Sequence, residues 1–272
     1  MRKTVSNLLF AVALASRKRF SSLAIPNKIW ARIYNIFFSR RNVEWSAEEE
    51  MFSYALDGGR FYIPRRNRLY LWASVEQKQA QLLVDYMIPT NLGEPLVLDV
   101  GANVGEFSLA LSRHGAVVHA FEPDPVEFKA LERNCRGSTV HPHNIALWDN
   151  EESRYFYLSN ATGDSSLFSE GGATDEKIKI QARTLDSWAR ENLAPDCPVS
   201  VLKVEAEGAE PEVLLGGVET LKRVHYVTVD VGFERLSQST LPEVVNILIP
   251  LGFRAVHFGA PRPVILFHNQ FF

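Results

Sequence analysis

The chain has 272 residues, a net charge of −3, 46% apolar residues and 22% charged residues. These values are typical of a globular protein with a sizeable core, and they exclude a wholly disordered or fibrous chain. The length allows one large domain with an extension, or two small domains.

Positive charge is concentrated at the N-terminus. Residues 1–43 carry nine basic side chains and no Asp or Glu, whereas residues 44–272 carry 20 basic and 32 acidic side chains. Nonspecific nucleic-acid binding needs Lys and Arg to displace counterions, so the acidic body argues against a nucleic-acid partner. The basic arm suits an anionic surface better.

Residues 1–43 are predicted to form an amphipathic helical arm. The apolar run Leu8–Ala15 resembles a minimal signal peptide but is too short to span a bilayer. The stretch Ile29–Phe38 mixes aromatic and aliphatic residues with basic ones. Three interpretations stay open: an arm packed on the domain, peripheral membrane contact through residues 1–40, and secretion.

The two cysteines bear on the cellular compartment. Cys135 and Cys197 form neither a metal-type pair nor a visible disulfide framework. This fits a reducing environment. We therefore predict a cytoplasmic protein, with peripheral contact at the inner face of the membrane as the alternative that the basic arm suggests.

Residues 44–94 are predicted to be a mixed lead-in of strand and helix. Gly58-Gly59 marks a turn, and Arg60–Pro64 is predicted to be a short strand. Apolar residues recur at helical spacing over Val75–Met87, and Pro89 ends this helix.

A doubly wound, mostly parallel α/β domain is predicted over residues 95–272, because strands and helices alternate at short intervals. Its first elements are predicted to be strand Leu96–Val100, helix Phe107–His114, strand Val117–Phe121, a helix from Pro125 capped by Asp124, and strand Thr139–Leu147. Its later elements are predicted to be the antiparallel strands Arg154–Leu158 and Lys177–Gln181, helix Leu185–Glu191, strand Val199–Val204, helix Pro211–Leu215, strand Tyr226–Val231, helix Val244–Leu251, and strands Arg254–His257 and Val264–His268.

The glycine-bounded turn Asp99–Gly105 lies where the first of these strands gives way to a helix. Ligands bind at the carboxyl ends of strands in doubly wound sheets, and glycines let the backbone approach a ligand closely. Glu122 ends the next strand, where its two oxygens can accept both hydroxyls of a ribose. We expect the bend at Gly101–Gly105 to face Glu122 across a gap sized for a nucleoside.

Two cofactors use this geometry. A dinucleotide requires the full GxGxxG motif, and Asn103 stands where its second glycine belongs. S-adenosylmethionine has no phosphate and carries an ammonium and a sulfonium, so an acid such as Asp99 can be useful beside it. The pattern favours S-adenosylmethionine over NAD, and a tight turn beside a solvated Glu122 is the structural alternative.

Three ordered blocks resemble the FkbM family of methyltransferases: Val97–Gly105, Phe121–Pro123 and Leu202–Glu210, continued by Leu214–Gly216. The resemblance covers roughly residues 95–257 and does not include the basic arm. It implies a class I methyltransferase (Rossmann-like) fold with a seven-stranded sheet, S-adenosylmethionine as cofactor, and O-methylation as the usual reaction.

The resemblance also implies which residues contact the cofactor. They would be Asp99, Gly101, Asn103 and Gly105 for the methionine part, Glu122 for the ribose, and Asn144, Ala146 and Leu147 for the adenine. Glu205 and Glu207 would face the transferred methyl group. The family's third block commonly reads Lys-Ile-Asp-Val-Glu-Gly, whereas this chain has Glu205 at the Asp position and Ala206 at the Val position. This departure affects the catalytic assignment more than the cofactor assignment.

A hydroxyl acceptor must lose its proton, and a nearby base helps. The predicted catalytic residues are Glu205, Glu207 and Asp230, with Glu205 preferred because it ends a strand at the ligand face. Each acid has a structural alternative as a turn cap or an exposed strand end. His225, at the other end of the Asp230 strand, is interpreted as structural.

A metal site is not predicted. Glu205, Glu207 and Asp230 could hold a hard divalent cation, but their spacing does not require one. His141 and His143 point the same way from a strand without an evident third ligand, which argues against zinc.

The predicted function is therefore S-adenosylmethionine-dependent O-methylation of a sugar, glycolipid or other small acceptor. An NAD-dependent oxidoreductase and a non-catalytic cofactor-binding protein of the same fold are the alternatives. The chain has no GxxxxGK[ST] loop, HExxH motif or GxSxG elbow, which removes the main support for ATPase, metalloprotease and α/β-hydrolase functions.

Overall fold

The structure is a computed structural model that describes residues 25–37, 43–56, 59–70, 74–89, 92, 95–158, 165–168, 176–235, 237–260 and 262–272. The chain divides into two compact units with a boundary between Lys78 and Gln79. The predictions for residues 1–24 and 38–42 lie outside the described residues. Within those residues, no helix combines the length and the apolar character needed to span a membrane.

The elements before the glycine turn are α1 (Asn27–Phe37), β1 (Val43–Ser46), β2 (Met51–Leu56), β3 (Gly59–Ile63), a short 3-10 turn (Arg66–Arg68) and α2 (Val75–Asp85). From the first strand of the predicted domain onward they are β4 (Leu96–Val100), α3 (Glu106–Arg113), β5 (Val117–Phe121), α4 (Pro125–Asn134), β6 (Val140–His143), β7 (Ala146–Leu147), β8 (Glu152–Tyr157), β9 (Lys177–Arg183), α5 (Leu185–Asn192), β10 (Val199–Val204), α6 (Glu210–Leu215), α7 (Val218–Leu221), β11 (Val224–Asp230), α8 (Leu241–Leu248), β12 (Phe253–Phe258) and β13 (Val264–Asn269).

The smaller unit combines helix α1 with the antiparallel sheet β1-β2-β3. Trp30 and Tyr34 are buried on one face of α1 with ring centroids 4.8 Å apart. Strands β1 and β2 were not predicted; in β2, residues 51–54 are all buried and so lack the alternation that marks a half-buried strand. The predicted strand over Arg60–Pro64 corresponds to β3.

The larger unit is built on a mixed sheet whose described strands follow the order β12-β13-β11-β10-β4-β5-β6. Strands β6, β5, β4, β10 and β11 run parallel to one another, and β13 is antiparallel to both β11 and β12. The predicted mostly parallel α/β sheet of seven strands is therefore confirmed.

The carboxyl end of this sheet contains a topological switch point. The chain runs outward from β4 to β5 and β6, and then returns to the other side of β4 as β10 and β11. Adjacent crossovers that leave in opposite directions open a crevice at the carboxyl ends of β4 and β10, which is where ligands bind in such sheets. The residues after Val100 and after Val204 lie at this crevice.

The third predicted strand ends earlier than expected. Strand β6 stops at His143, and Ala146 and Leu147 form the separate short strand β7. The chain turns because Ile145 N–H donates to the His143 carbonyl at 3.0 Å. Strand β7 pairs with β9 in a second sheet of order β7-β9-β8, in which β8 and β9 form the predicted antiparallel pair.

Candidate active site

The bend after β4 depends on backbone conformations that few residues adopt. Gly101, Asn103 and Gly105 have φ values of 72°, 52° and 94°, in the left-handed region that favours Gly and tolerates Asn. A Cβ atom on Gly101 would lie 1.7 Å from the carbonyl oxygen of Glu205. The bend therefore packs directly against the backbone that follows β10, and only glycine fits at this contact.

Glu122, at the end of β5, holds this bend with its side chain. Its Oε2 accepts from Asn103 N–H at 2.8 Å, and its Oε1 accepts from Asp124 N–H at 2.8 Å. The nucleoside-sized gap expected between Glu122 and the bend is therefore wrong, because the unpaired amides of a strand-end bend attract the carboxylate into direct contact. Each carboxylate oxygen still has a second lone pair, so both can accept a ribose hydroxyl.

The Glu122 side chain is almost completely buried. The two hydrogen bonds described above come from backbone N–H groups and not from a cation. Burial raises the pKa of Glu122 to about 8, and the neighbouring carboxylates Glu127 and Asp124 add to this effect, while the two backbone N–H groups oppose it. Glu122 therefore exchanges a proton near neutral pH.

Asp99 lies beneath the bend and has no exposed surface. It accepts from Ser108 Oγ at 2.5 Å and lies 3.0 Å from Lys203 Nζ. Ser108 and Lys203 thus enclose the carboxylate, and the predicted place of Asp99 beside the methionine part of the cofactor stays a prediction.

Lys203 joins Asp99 to the bend. Its ammonium donates to the carbonyls of Gly101 at 2.8 Å and Val100 at 3.2 Å. Burial opposes the charge of Lys203, but Asp99 and Glu205 outweigh this and raise its pKa above the ordinary value. Lys203 is therefore a buried cation that fixes the carboxyl end of β4.

The three residues predicted near the adenine are separated by the turn after β6. The exposed Asn144 donates from Nδ2 to the carbonyl of Glu122 at 2.8 Å, so it lies beside the carboxylate that would hold the ribose. Ala146 and Leu147 are buried in two different hydrophobic clusters. Only Asn144 of the three therefore presents an exposed side chain, and the predicted place of Ala146 and Leu147 near the adenine stays a prediction.

Glu205 follows β10 and is surrounded by donors. It accepts from the Tyr86 hydroxyl at 2.6 Å, lies 3.2 Å from Lys203 Nζ and forms an ion pair with Arg262 Nη2. Burial alone would raise the pKa of Glu205, but Lys203 and Arg262 outweigh it and, together with the Tyr86 hydroxyl, lower this pKa to about 2. A carboxylate so fully engaged is a poor proton acceptor, which argues against Glu205 as the base.

Asp230, at the end of β11, is held less tightly. Its Oδ2 lies 2.7 Å from Arg262 Nε, and its Oδ1 accepts from Gly232 N–H at 3.1 Å. Burial raises the pKa of Asp230, and Arg262 opposes this only in part. One guanidinium therefore bridges Glu205 and Asp230, where the sequence left open a divalent cation held by carboxylates.

Glu207 lies in the turn after Glu205 and has a φ of 48°. Its carbonyl accepts from Ser166 Oγ at 2.9 Å. Glu210 holds the same turn, because its Oε1 accepts from Ala206 N–H at 2.8 Å and from Gly208 N–H at 3.1 Å. Burial raises the pKa of Glu210 to about 7. The described contacts of Glu207 are thus those of a turn residue.

The histidines form a cluster on β5 and β6 rather than a metal site. His119 Nδ1 lies 3.0 Å from His143 Nε2, and its ring stacks on both His141 and His143. Burial lowers the pKa values of His119 and His143 to about 4. No group of three or more His, Cys, Asp or Glu side chains suited to a metal occurs among the described residues.

Four residues of the site had no predicted role: Tyr86, Lys203, Glu210 and Arg262. A lysine inside the otherwise apolar run Val201–Val204 was a usable signal, because a charge buried in a central strand needs a partner. Glu210 lies within a recognised block and could have been proposed as a cap. Tyr86 and Arg262 carried no local signal of their own.

Comparison with known proteins identifies the family. Residues 99–255 match the methyltransferase FkbM domain. The 2-O-methyltransferase NoeI of Sinorhizobium fredii is 26% identical over 171 residues, which cover 55% of this chain and 68% of that protein. The hexuronic acid methyltransferase AglP of Haloferax volcanii is 28% identical over 165 residues, which cover 59% of this chain and 66% of that protein. The chain thus spans about two thirds of these relatives.

Among solved structures, the magnesium protoporphyrin IX methyltransferase ChlM of Synechocystis with bound S-adenosylmethionine superposes with a TM-score of 0.44 and 13% identity, covering 72% of this chain and 79% of that one. The family match covers more than half of the chain and carries the assignment. The chain belongs to the FkbM methyltransferase family and is an S-adenosylmethionine-dependent methyltransferase.

Proposed function

We propose that the chain transfers the methyl group of S-adenosylmethionine to a hydroxyl group of a sugar-like small acceptor. The observation that carries the proposal is the juxtaposition at the switch point of a glycine bend with Glu122 on one side and the Asp230–Arg262–Glu205 ion pairs on the other. The names of the relatives support the acceptor class, since one denotes a 2-O-methyltransferase and another a hexuronic acid methyltransferase.

The cofactor fits the first of these two sides. Glu122 has accepting capacity for the two ribose hydroxyls, Asn144 lies beside it, and the open backbone of Gly101, Asn103 and Gly105 would approach the methionine part. When bound, S-adenosylmethionine supplies a methyl group that its sulfonium already activates. The remaining task of the chain is to align the acceptor oxygen with that methyl group and to receive a proton.

Asp230 is the proposed proton acceptor. Its pKa is raised, so it is a stronger base than an ordinary carboxylate, whereas the pKa of Glu205 is about 2. Glu205 would instead hold Arg262 and Tyr86 in place. This assignment keeps both acids in the reaction and gives them different tasks because their surroundings differ.

Phe233 suggests how a sugar would be held. Its side chain is 69% exposed in the loop that follows Asp230. The apolar face of a sugar ring gains contact area on an aromatic ring, much as other apolar surfaces do. A sugar stacked on Phe233 would therefore be held near Asp230.

The test is methyl transfer from labelled S-adenosylmethionine to a panel of neutral hexoses, hexuronic acids and glycolipids, read by mass spectrometry. We expect a methylated sugar product, and we expect D230N to lower kcat by about a hundredfold or more, the typical contribution of a positioned base. Asp196, which is exposed, offers D196N as a matched control. Binding of NAD without transfer to any acceptor would overturn the proposal, and binding of S-adenosylmethionine without transfer would favour a non-catalytic protein.

We further propose that helix α1 contacts an anionic membrane surface, so that the protein acts in the cytoplasm at the inner face of the membrane. Ile29 and Ile36 are 50% and 76% exposed on the face opposite the buried Trp30. Lys28 and Arg32 are exposed beside them. Exposed apolar side chains flanked by basic ones suit the interface of an anionic lipid surface.

Flotation with phosphatidylglycerol vesicles tests this contact. We expect the unaltered protein to float and the I29D/I36D variant to stay at the bottom of the gradient. Ile249 is 47% exposed in the larger unit, so I249D is a matched control that should float. Equal behaviour of the two variants, or no binding by the unaltered protein, would overturn the membrane contact without affecting the proposed reaction.

A further inference from the structure

A cluster of five polar side chains connects the bend after β4 to the end of β11. We refer to Tyr86, Lys203, Glu205, Asp230 and Arg262 as the charge cluster. Lys203 anchors it to the bend through the Gly101 carbonyl, and Arg262 ends it at Asp230. The cluster is therefore a continuous chain of contacts from the proposed cofactor side to the proposed acceptor side.

Tyr86 occupies a fixed place in this cluster. It is fully buried, its hydroxyl donates to Glu205, and its carbonyl accepts from Thr228 Oγ1 at 2.9 Å. Its ring lies 5.3 Å from that of Phe107 in an edge-to-face contact. A tyrosine held at both ends in this way constrains the direction of the carboxylate it contacts.

Arg262 supplies the second constraint. It reaches Glu205 through Nη2 and Asp230 through Nε, and its guanidinium lies 4.9 Å above the Tyr86 ring. The planar guanidinium fixes the angle between its two contacts, because its donors have a rigid geometry. Asp230 therefore cannot move relative to Glu205 without breaking an ion pair.

The length of Glu205 makes this arrangement possible. An aspartate at this position would end about 1.5 Å earlier, the length of one C–C bond. The 2.6 Å bond from the Tyr86 hydroxyl would then exceed hydrogen-bond range unless the backbone moved. Because Gly101 packs against the Glu205 backbone, such a movement would also disturb the bend.

We infer that Tyr86 and Arg262 are positioning residues of methyl transfer, which act through Glu205 to hold Asp230 at a fixed place relative to the cofactor bend. The inference rests on the proposed function. Both residues lie outside the stretch 99–255 that matches the family.

The protonation of Asp230 provides a direct readout of this role. The charged and titratable groups that face it are Arg262, Glu205, Glu234 and Tyr86. Arg262 lowers the pKa of Asp230 and Glu205 raises it. Replacing Arg262 with a neutral residue should therefore raise the Asp230 pKa, by about one to three units for the loss of an adjacent opposite charge.

The first experiment compares R262Q and R262K with the unaltered protein. We expect R262Q to move the acidic limb of the pH profile of kcat/KM to higher pH by at least one unit. We expect R262K to move this limb much less, because lysine keeps the positive charge. Carbon-detected NMR titration of the cofactor-free protein, with D230N to assign the signal, should show the same rise in the Asp230 pKa. Arg254 is exposed on strand β12, so R254Q is the matched control for the loss of an arginine side chain.

The second experiment is a double-mutant cycle between Y86F and E205D. We expect Y86F to lower kcat/KM by about tenfold or more, the effect of losing a hydrogen bond to a charged group. In the E205D background, where the bond is already lost, Y86F should cost less than about threefold. Y155F, at a 53% exposed tyrosine, is the control for the loss of a hydroxyl.

The outcomes separate the two proposals. Methyl transfer with an unshifted limb in R262Q, or with additive effects of Y86F and E205D, would overturn the positioning role and leave the proposed function intact. Absence of methyl transfer by the unaltered protein would overturn the proposed function and the positioning role together. A shift of the limb and of the NMR titration, with non-additive rates, supports the inference.

Discussion

The proposed cofactor side of the site, formed by the bend Gly101–Gly105 and Glu122, and the proposed acceptor side, formed by Glu205, Asp230 and Arg262, each depend on a glutamate at the end of a parallel strand. On the cofactor side Glu122 accepts from two backbone N–H groups, and burial raises its pKa to about 8. On the acceptor side Glu205 faces two cations, which lower its pKa to about 2. The same residue type in the same position of the fold thus carries opposite charge behaviour.

The difference indicates that the proposed acceptor side keeps an ionised carboxylate, whereas the proposed cofactor side offers a carboxylate that can accept hydroxyl groups. A glutamate held only by backbone dipoles can accept ribose hydroxyls without competing for a cation. A glutamate locked between Lys203 and Arg262 remains ionised and serves to orient its neighbours. The following predictions test this contrast, beginning with the largest expected effect.

Replacing Lys203 with methionine should lower the free energy of unfolding by about 3–5 kcal/mol, the usual cost of removing one partner from a buried ion pair. The loss arises because Asp99 would be buried without its cation and the bend carbonyls would lose their donor. Urea unfolding followed by fluorescence measures it. Lys222 is 61% exposed in a surface pair, so K222M should change the free energy by less than about 1 kcal/mol.

Replacing Glu122 with glutamine should weaken the binding of S-adenosylhomocysteine by about tenfold or more, because an amide NH2 group would replace one accepting oxygen, and a buried donor left without an acceptor costs about 1–3 kcal/mol. The E205Q variant should weaken it by less than about threefold, since Glu205 belongs to the acceptor side. Isothermal titration calorimetry measures both constants. The reverse order of effects would show that the two sides have been assigned the wrong way round.

The two sides should also differ in the pH dependence of stability. The raised pKa of Glu122 means that the folded state retains a proton that the unfolded state loses, so stability should decline as pH rises from about 4.5 to 8. The lowered pKa of Glu205 contributes stability that is lost as pH falls from about 4.5 to 2.

Thermal unfolding across these two windows separates the contributions. E122Q should flatten the decline in the upper window, leaving the decline due to Glu210, whose pKa is about 7, and the opposing rise between about pH 4 and 6.5 due to the lowered pKa values of His119 and His143. E205Q should flatten the lower window instead. If E122Q flattened the change in stability below pH 4.5, or E205Q flattened the change above it, the charge states given above would be contradicted.

The smallest expected effect concerns Phe233. F233A should raise the KM for the sugar acceptor by about three- to tenfold, the range expected when an aromatic contact is lost, and should leave the affinity for S-adenosylhomocysteine unchanged. Phe258 is 61% exposed on the outermost strand β12, so F258A is the matched control. An equal effect of the two variants on KM would remove Phe233 from the acceptor site.

The sequence predicted the strands and the bend around Glu122 well because these elements are local. The strand Leu96–Val100, the bend and the strand that ends before Glu122 lie within about thirty residues, and each has its own period or turn signal. What local patterns could not supply was the direct bond between Glu122 and Asn103 N–H, which depends on how the two strand ends meet.

The acceptor side was predicted only in part, because its residues are far apart along the chain. Glu205 pairs with Tyr86 across 119 residues and with Arg262 across 57 residues. No periodicity indicates such pairings, so the sequence favours Glu205 as the base, whereas its partners in the structure make it a poor proton acceptor. The third strand was predicted to be too long for a similar reason, since the turn at Asn144 depends on a bond to the loop after β5.

Tyr86 and Arg262 both lie beyond the boundaries of the family match, which matters for the choice of fragment boundaries. A fragment cut at residues 99 and 255 would lack both side chains and would leave Glu205 and Asp230 facing each other with only Lys203 to offset them. It would also lose strand β13, exposing the backbone edge of the buried strand β11 to pairing with other molecules. The smallest fragment worth purifying therefore begins before Tyr86 and ends after Asn269.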